Sequence, residues 1–193
     1  MTVEIWVVLI VIGLIALLAL WSIGIYNRLV RSSVQTKEAW SGICVQLRRR
    51  ASLIPNLVET IKGYASHEKG VFEEVARARS ALQNASGPTE STLANQSLTA
   101  ALGRLFAVVE NYPDLKAAGN FQDLQDELSD VEEKIAYARQ FFNRNAAQFN
   151  IQIRSIPDIL IARMLALERF EFFEEDQDPN EEVRVSFSQS GGD

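Results

Sequence analysis

The residues that could do chemistry are few. The chain has one histidine, His67, and one cysteine, Cys44. A di-iron site in a helical bundle needs Glu-x-x-His pairs on two helices and further inward glutamates. The residue three places before His67 is Tyr64, not an acid, so that site cannot be built. A zinc site fails for the same shortage of thiol and imidazole ligands. His67 reads as a solvent-facing residue at the start of a helix, and Cys44 as a small buried hydrophobe. Asp123, Glu127 and Asp130, with Asp126 and Glu133 close by, make an acidic row on one helix face. Leu124, Leu128, Val131 and Ile135 hold another side of the same helix, so the row reads as a solvated face. The scattered glycines form no phosphate loop. No catalytic residue, cofactor or metal is expected.

What positions these residues begins with an apolar stretch. Ile5 to Ile25 reads IWVVLIVIGLIALLALWSIGI and carries no charge. A helix crossing a hydrocarbon core of about 30 Å needs roughly 20 apolar residues. Trp6 and Trp21 stand near its ends, where indole rings favour the water–lipid boundary. A signal peptide would have a basic start, a shorter apolar core and a small-residue cleavage site. The start here carries Glu4 and no base, so an uncleaved span is expected over residues 1–25. Arg28, Arg31 and Lys37, then Arg48, Arg49 and Arg50, follow it against Glu38 alone. Such flanks stay in the cytoplasm, which predicts a single-pass inner-membrane protein with its N-terminus outside. Arg28, Arg31 and Arg48–Arg50 are candidate contacts for anionic headgroups.

Beyond the span, apolar residues follow a helical period. Trp40, Leu47, Ile54, Ile61, Val75 and Leu82 recur at seven or fourteen, with Ile43, Leu57, Tyr64, Val71 and Ala78 between them and Arg50 as the exception. Tyr26 meets no strong breaker before Gly42, so the span is expected to run on into the first soluble helix. Pro55 either kinks that helix or starts a new one. Gly63 is placed at a helix end and Ser66 as the cap of the next. Ala85–Thr89 reads as loop, Ser91–Glu110 as helix, and Tyr112-Pro113-Asp114 as its stop. Phe121 to Arg154 is one long pattern of about 50 Å at 1.5 Å per residue.

After Pro157 comes a short apolar segment, 158–170, read either as a closing cap on the core or as a piece lying on a membrane or partner. Residues 171–193 are acidic and read as a flexible tail, with a lone strand-like alternation at Val183–Ser188. Residues 168–193 carry nine acids against Arg169 and Arg184, so the formal net charge of −6 is mostly a property of this end. Nothing resembles a nucleic-acid surface.

The fold class expected is all-α: one transmembrane helix followed by an antiparallel four-helix bundle with long helices over 26–157. Two blocks carry a resemblance. They are VQLRRRASLIPNLVETIKGYASHEKGVFEEVARAR, residues 45–79, and the pair NQSLTAALGRLFAVVENYPDLKA and FQDLQDELSDVEEKIAYARQFFN within residues 95–143. With the span and the YNRLVRSSVQTKEAW entry they resemble the LemA family of bacterial membrane proteins. The resemblance implies a single span and a helical bundle. It implies no reaction, no cofactor and no catalytic role for any matching residue, and some relatives belong to organelle membranes such as magnetosomes.

Three functions follow as expectations. The first is a non-catalytic, self-associating scaffold on the bilayer, with Trp40, Ile43, Leu47, Ile159 and Leu160 as candidate contacts for unknown protein partners. The alternative is a membrane-shaping or lipid-organising protein. An enzyme is the third, disfavoured by the absent constellations.

Overall fold

The computed structural model describes residues 2–173, and every regular element among them is a helix. α1 runs unbroken from Thr2 to Lys62, about 90 Å at 1.5 Å per residue. α2 is Lys69–Asn84, α3 Gly87–Val109, α4 Pro113–Lys116, α5 Gly119–Gln152 and α6 Asp158–Met164.

α1 is helical throughout for two different reasons. Its first part is apolar on every side, and the large side chains from Ile5 to Ile23 are exposed. That part is long and apolar enough to cross a membrane. From Ile25 onward only one stripe is buried: Leu29, Ala39, Ile43, Leu47, Ala51, Ile54, Leu57 and Ile61. Steps of three and four keep these residues on one face.

Pro55 lies inside α1, which continues through it. A proline has no N–H, so the carbonyl four residues earlier loses its helical partner. That carbonyl belongs to Ala51, and Arg79 of α2 donates its Nε–H to it at 2.8 Å. The second helix thus repairs the ladder of the first, which is why Pro55 neither ends α1 nor begins a new helix.

α1 ends where Gly63 was expected to end it. The Ser66 cap is not formed: Glu68 occupies the N-cap of α2 and makes no side-chain capping bond. α3 starts earlier than the loop reading allowed. Gly87 takes φ +76°, Pro88 opens the first turn, and the Ser86 N–H donates to Glu90 Oε2 at 2.9 Å. The carboxylate thereby satisfies a backbone donor at the start of the helix. Tyr112-Pro113 stops α3 as expected, with the single turn α4 placed before α5.

α1 packs along α5, and α2 along α3, with α1 also touching α2, α3 and α6. Positions rise along α1 as they fall along α5: Trp40 meets Phe142 with ring centroids 5.4 Å apart, and Arg49 lies 3.6 Å from Asp130. One continuous core joins α1, α2, α3 and α5 through Leu57, Val75, Leu98, Leu105, Val131 and Phe142. A smaller cluster, Ile25, Leu29, Phe149, Ile153 and Ala162, closes the end nearest the apolar run.

Beyond α6 the chain lies along α5 without regular structure. Asn150 accepts from the Phe170 N–H and donates to its carbonyl, both at 2.9 Å. Asn143 does the same for Phe173, at 3.0 and 2.9 Å. Seven residues of helix advance about 10.5 Å and three extended residues about 10 Å, so the two repeats match. Phe173 is buried beside Trp40 and Phe142. Residues 171–173 are therefore part of the fold rather than of a loose tail. The strand-like run Val183–Ser188 lies outside the described residues.

Candidate membrane and partner interfaces

The two candidate interfaces separate along α1 by distance. Trp6 and Trp21 are exposed on the apolar part. Ile25, expected as the end of the span, is buried against Phe149, Ile153 and Ala162. Cover from the folded domain therefore begins at Ile25 itself.

The basic residues divide the same way. Arg28 and Arg31 follow within two turns of Ile25, and Arg28 forms an ion pair and hydrogen bond with Asp158 of α6. Arg48 stands 23 positions beyond Ile25, about 35 Å along a continuous helix. The headgroup layer beyond the hydrocarbon is only roughly 5–7 Å thick on each side. Arg48 and Arg49 are exposed at that distance along α1.

Arg50 departs from the headgroup role expected of it: it is buried where α1, α3 and α5 meet. Its guanidinium bonds Asn95 and, through Nη2, Thr99 Oγ1 at 3.0 Å and Glu132 Oε2 at 2.8 Å. Burial pulls it below its ordinary pKa, and the Glu132 carboxylate opposes that shift. A break in an otherwise apolar series was the signal, and the polar residues at 95, 99 and 132 are its partners.

The expected partner contacts also divide. Ile43 and Leu47 are buried in the main core. Trp40 is half-buried against Phe142 and Phe173. A partner cannot reach Ile43 or Leu47 without opening α1 from α5, so they belong to the fold. Ile159 is half-buried on α6, and Leu160 is exposed.

A surface that sequence reasoning missed lies between α1 and α5. A groove of about 720 Å³ has Ala39 and Gly42 among its lining residues, with Gln46, Tyr137, Ala138 and Phe141. Tyr137 and Phe141 are exposed, and Gln46 Oε1 is buried without a hydrogen bond. The signal was available: Tyr137 and Phe141 are four apart and off the core series.

His67 is exposed in the turn between α1 and α2. Cys44 is half-buried on α1, where burial pushes its thiol pKa up more strongly than Arg48 pulls it down. Such a thiol is held protonated, the opposite of a nucleophile's needs. In the acidic row, Asp130 accepts from Lys134 at 2.7 Å, and this bond holds its carboxyl below the usual range. Among the described residues no group of three His, Cys, Asp or Glu side chains converges as a metal site.

An apolar helix continuous with a helical body defines a membrane-associated helical protein. The chain belongs to the LemA family, whose pattern matches residues 39–187. It is 28% identical over 176 residues to the magnetosome protein MamQ of Magnetospirillum gryphiswaldense, covering 78% of this chain and 65% of that protein. The figures are the same for the magnetosome protein MamQ 1 of Paramagnetospirillum magneticum. Protein LemA of Metamycoplasma hominis is 27% identical over 156 residues, covering 79% of this chain and 70% of that protein. The chain thus spans just under two thirds of the length of the magnetosome relatives.

Proposed function

We propose that this protein is a non-catalytic scaffold, held by one membrane span and presenting an antiparallel four-helix bundle of α1, α2, α3 and α5 for association with copies of itself. The observation that carries the reading is the continuity of α1 from the apolar run into the core. A flexible linker would let a domain tumble beside the membrane. A helix without a break transmits the tilt of the span directly to the body, so neighbouring copies meet with related orientations. The groove beside Tyr137 and Phe141 is the surface offered for that meeting. Aromatic side chains are enriched at such contacts because they bury much area for little lost entropy. Arg28 and Arg31 favour a cytoplasmic bundle and an outer N-terminus.

Photo-cross-linking from Tyr137 in intact membranes tests the association. Homo-oligomers trapped through this face are expected, persisting as the protein is diluted in the bilayer. Monomer at every density removes the proposal. A reporter fused after Asp193 and active on one side only reads the orientation, with cytoplasmic activity expected.

A further inference from the structure

The end of the bundle nearest the apolar run carries an apolar row that the fold leaves uncovered. Asp158 and Ala162 turn α6 inward, onto Arg28 and onto Ile25 and Leu29. On the outer side, Leu160 and Met164 stand four apart and are 62% and 82% exposed, and Ile156, two residues before α6, is 87% exposed. Ile151, at the end of α5, is exposed as well. Isolated exposed apolar residues are ordinary in a folded protein, whereas several gathered at one end call for a partner.

The position of this row along α1 indicates its partner. Ala162 packs in the cluster that holds Ile25 and Leu29, so α6 stands within about 6 Å of the end of the apolar run, counting four residues at 1.5 Å each. That is the depth of the headgroup layer. Arg31, Arg154 and Arg163 are exposed in the same region, and the acid of α6, Asp158, is engaged by Arg28. Apolar side chains flanked by unbalanced bases match the boundary between acyl chains and anionic headgroups.

We propose that α6 is a second membrane contact, with Ile156, Leu160 and Met164 seated in the headgroup–acyl boundary of an anionic leaflet beside the span. The inference rests on reading Ile5–Ile25 as that span, as the proposed function does. A single helix crossing a bilayer leaves its body free to rotate about the helix axis. A second seat, off that axis, selects one face of the bundle to point along the membrane and another to point away. A second copy of the chain is the rival occupant. Lipid is favoured because the row adjoins the lipid-facing stretch and because its flanking bases repel their own duplicates.

The test uses the full chain with Cys44→Ala, carrying one environment-sensitive label on a new cysteine, at Met164→Cys, Leu14→Cys or Tyr64→Cys. All three positions are exposed, so the substitutions leave the core intact. Each variant is placed as a single chain in a nanodisc of phosphatidylcholine and phosphatidylglycerol containing lipids spin-labelled close to the headgroup. The label at position 164 is expected to emit to the blue of the label at 64 and to be quenched by the lipid several-fold more. Equal spectra and equal quenching at 164 and 64, with the label at 14 buried in lipid, overturn the proposal while leaving the span intact. A water-exposed label at 14 overturns both together. Shielding at 164 that arises only in discs holding two chains assigns the row to a second copy and also overturns it.

Discussion

α1 is one helix in two solvents. Before Ile25 its large side chains are exposed on every side, and beyond it they are buried along one stripe, with mostly polar residues and Tyr26, Val30, Val34 and Val45 exposed elsewhere. Backbone hydrogen bonding is helical in both parts, apart from the Ala51 carbonyl, which Arg79 supplies with a donor in place of Pro55. What differs is who covers the side chains. In the first part the folded body covers none of them, and a surface of Ile, Leu, Val and Trp that large is costly to leave in water. In the second the cover is α2, α3 and α5. Two halves of one element can therefore share a conformation and still respond oppositely to the same substitution.

The largest expected effect is a direct comparison of two leucines. Leu57 is fully buried, and Leu57→Ala should cost about 2–5 kcal/mol of bundle stability. Leu17 is 63% exposed, and Leu17→Ala should leave that stability within roughly 0.5 kcal/mol. Urea denaturation in detergent, followed by the loss of helical signal, checks both. Equal losses would mean that the apolar part also packs within the folded domain.

A second measurement sharpens what keeps the buried half helical through Pro55. Arg79→Met leaves the Ala51 carbonyl without its donor and should cost about 1–2 kcal/mol. Pro55→Ala restores an N–H to the helix ladder, so in that background the same change should cost clearly less. A double-mutant cycle that returns additive effects would show that Arg79 does not answer to Pro55.

The next effect is local. Asn143→Leu removes both bonds to Phe173 and should cost about 1 kcal/mol. Hydrogen exchange is expected to quicken at 170–173 while amides of α2 and α3 keep their protection. Faster exchange across the whole bundle would make the Asn-held segment a part of the main core rather than a cover laid upon it.

The smallest effect concerns Cys44. Burial raises its thiol pKa, so the folded state favours the protonated form. Above the ordinary thiol range only the unfolded chain gains by ionising, so this contribution is present at lower pH and fades as pH rises. Alkylation of the native protein should be slower than that of a free thiol at pH 8 and should quicken at higher pH than the free thiol does. A rate equal to the free thiol's would show that this stretch of α1 opens readily.

Much of the fold could be read from residue spacing. The steps of seven from Leu47 to Leu82 and of three or four from Leu128 to Ile153 are core positions, because burial against helices requires such repeats. Tyr64 and Leu93 fit a helical period and are nonetheless exposed. Periodicity assigns a face, but the neighbouring helix decides how far that face is covered. Less of the candidate interfaces was legible. Arg48–Arg50 look like one basic strip in the sequence, yet Arg50 is enclosed by Asn95, Thr99 and Glu132. How far each base stands from the apolar run depended on α1 being unbroken.

The sequence alone determined an apolar helix near the start, a helical body behind it and the scarcity of reactive groups. These follow from composition and from local repeats, which act within a few residues. Tertiary structure decided the rest: that Pro55 lies within a helix because Arg79 reaches Ala51, that Arg50 is enclosed by Asn95, Thr99 and Glu132, and that Phe173 returns to Trp40. Each joins residues from 28 to well over one hundred positions apart, or depends on a helix that far along the chain, and no local pattern encodes such a meeting. It is fixed only when the chain buries its apolar faces together and must find partners for most of the polar groups left inside.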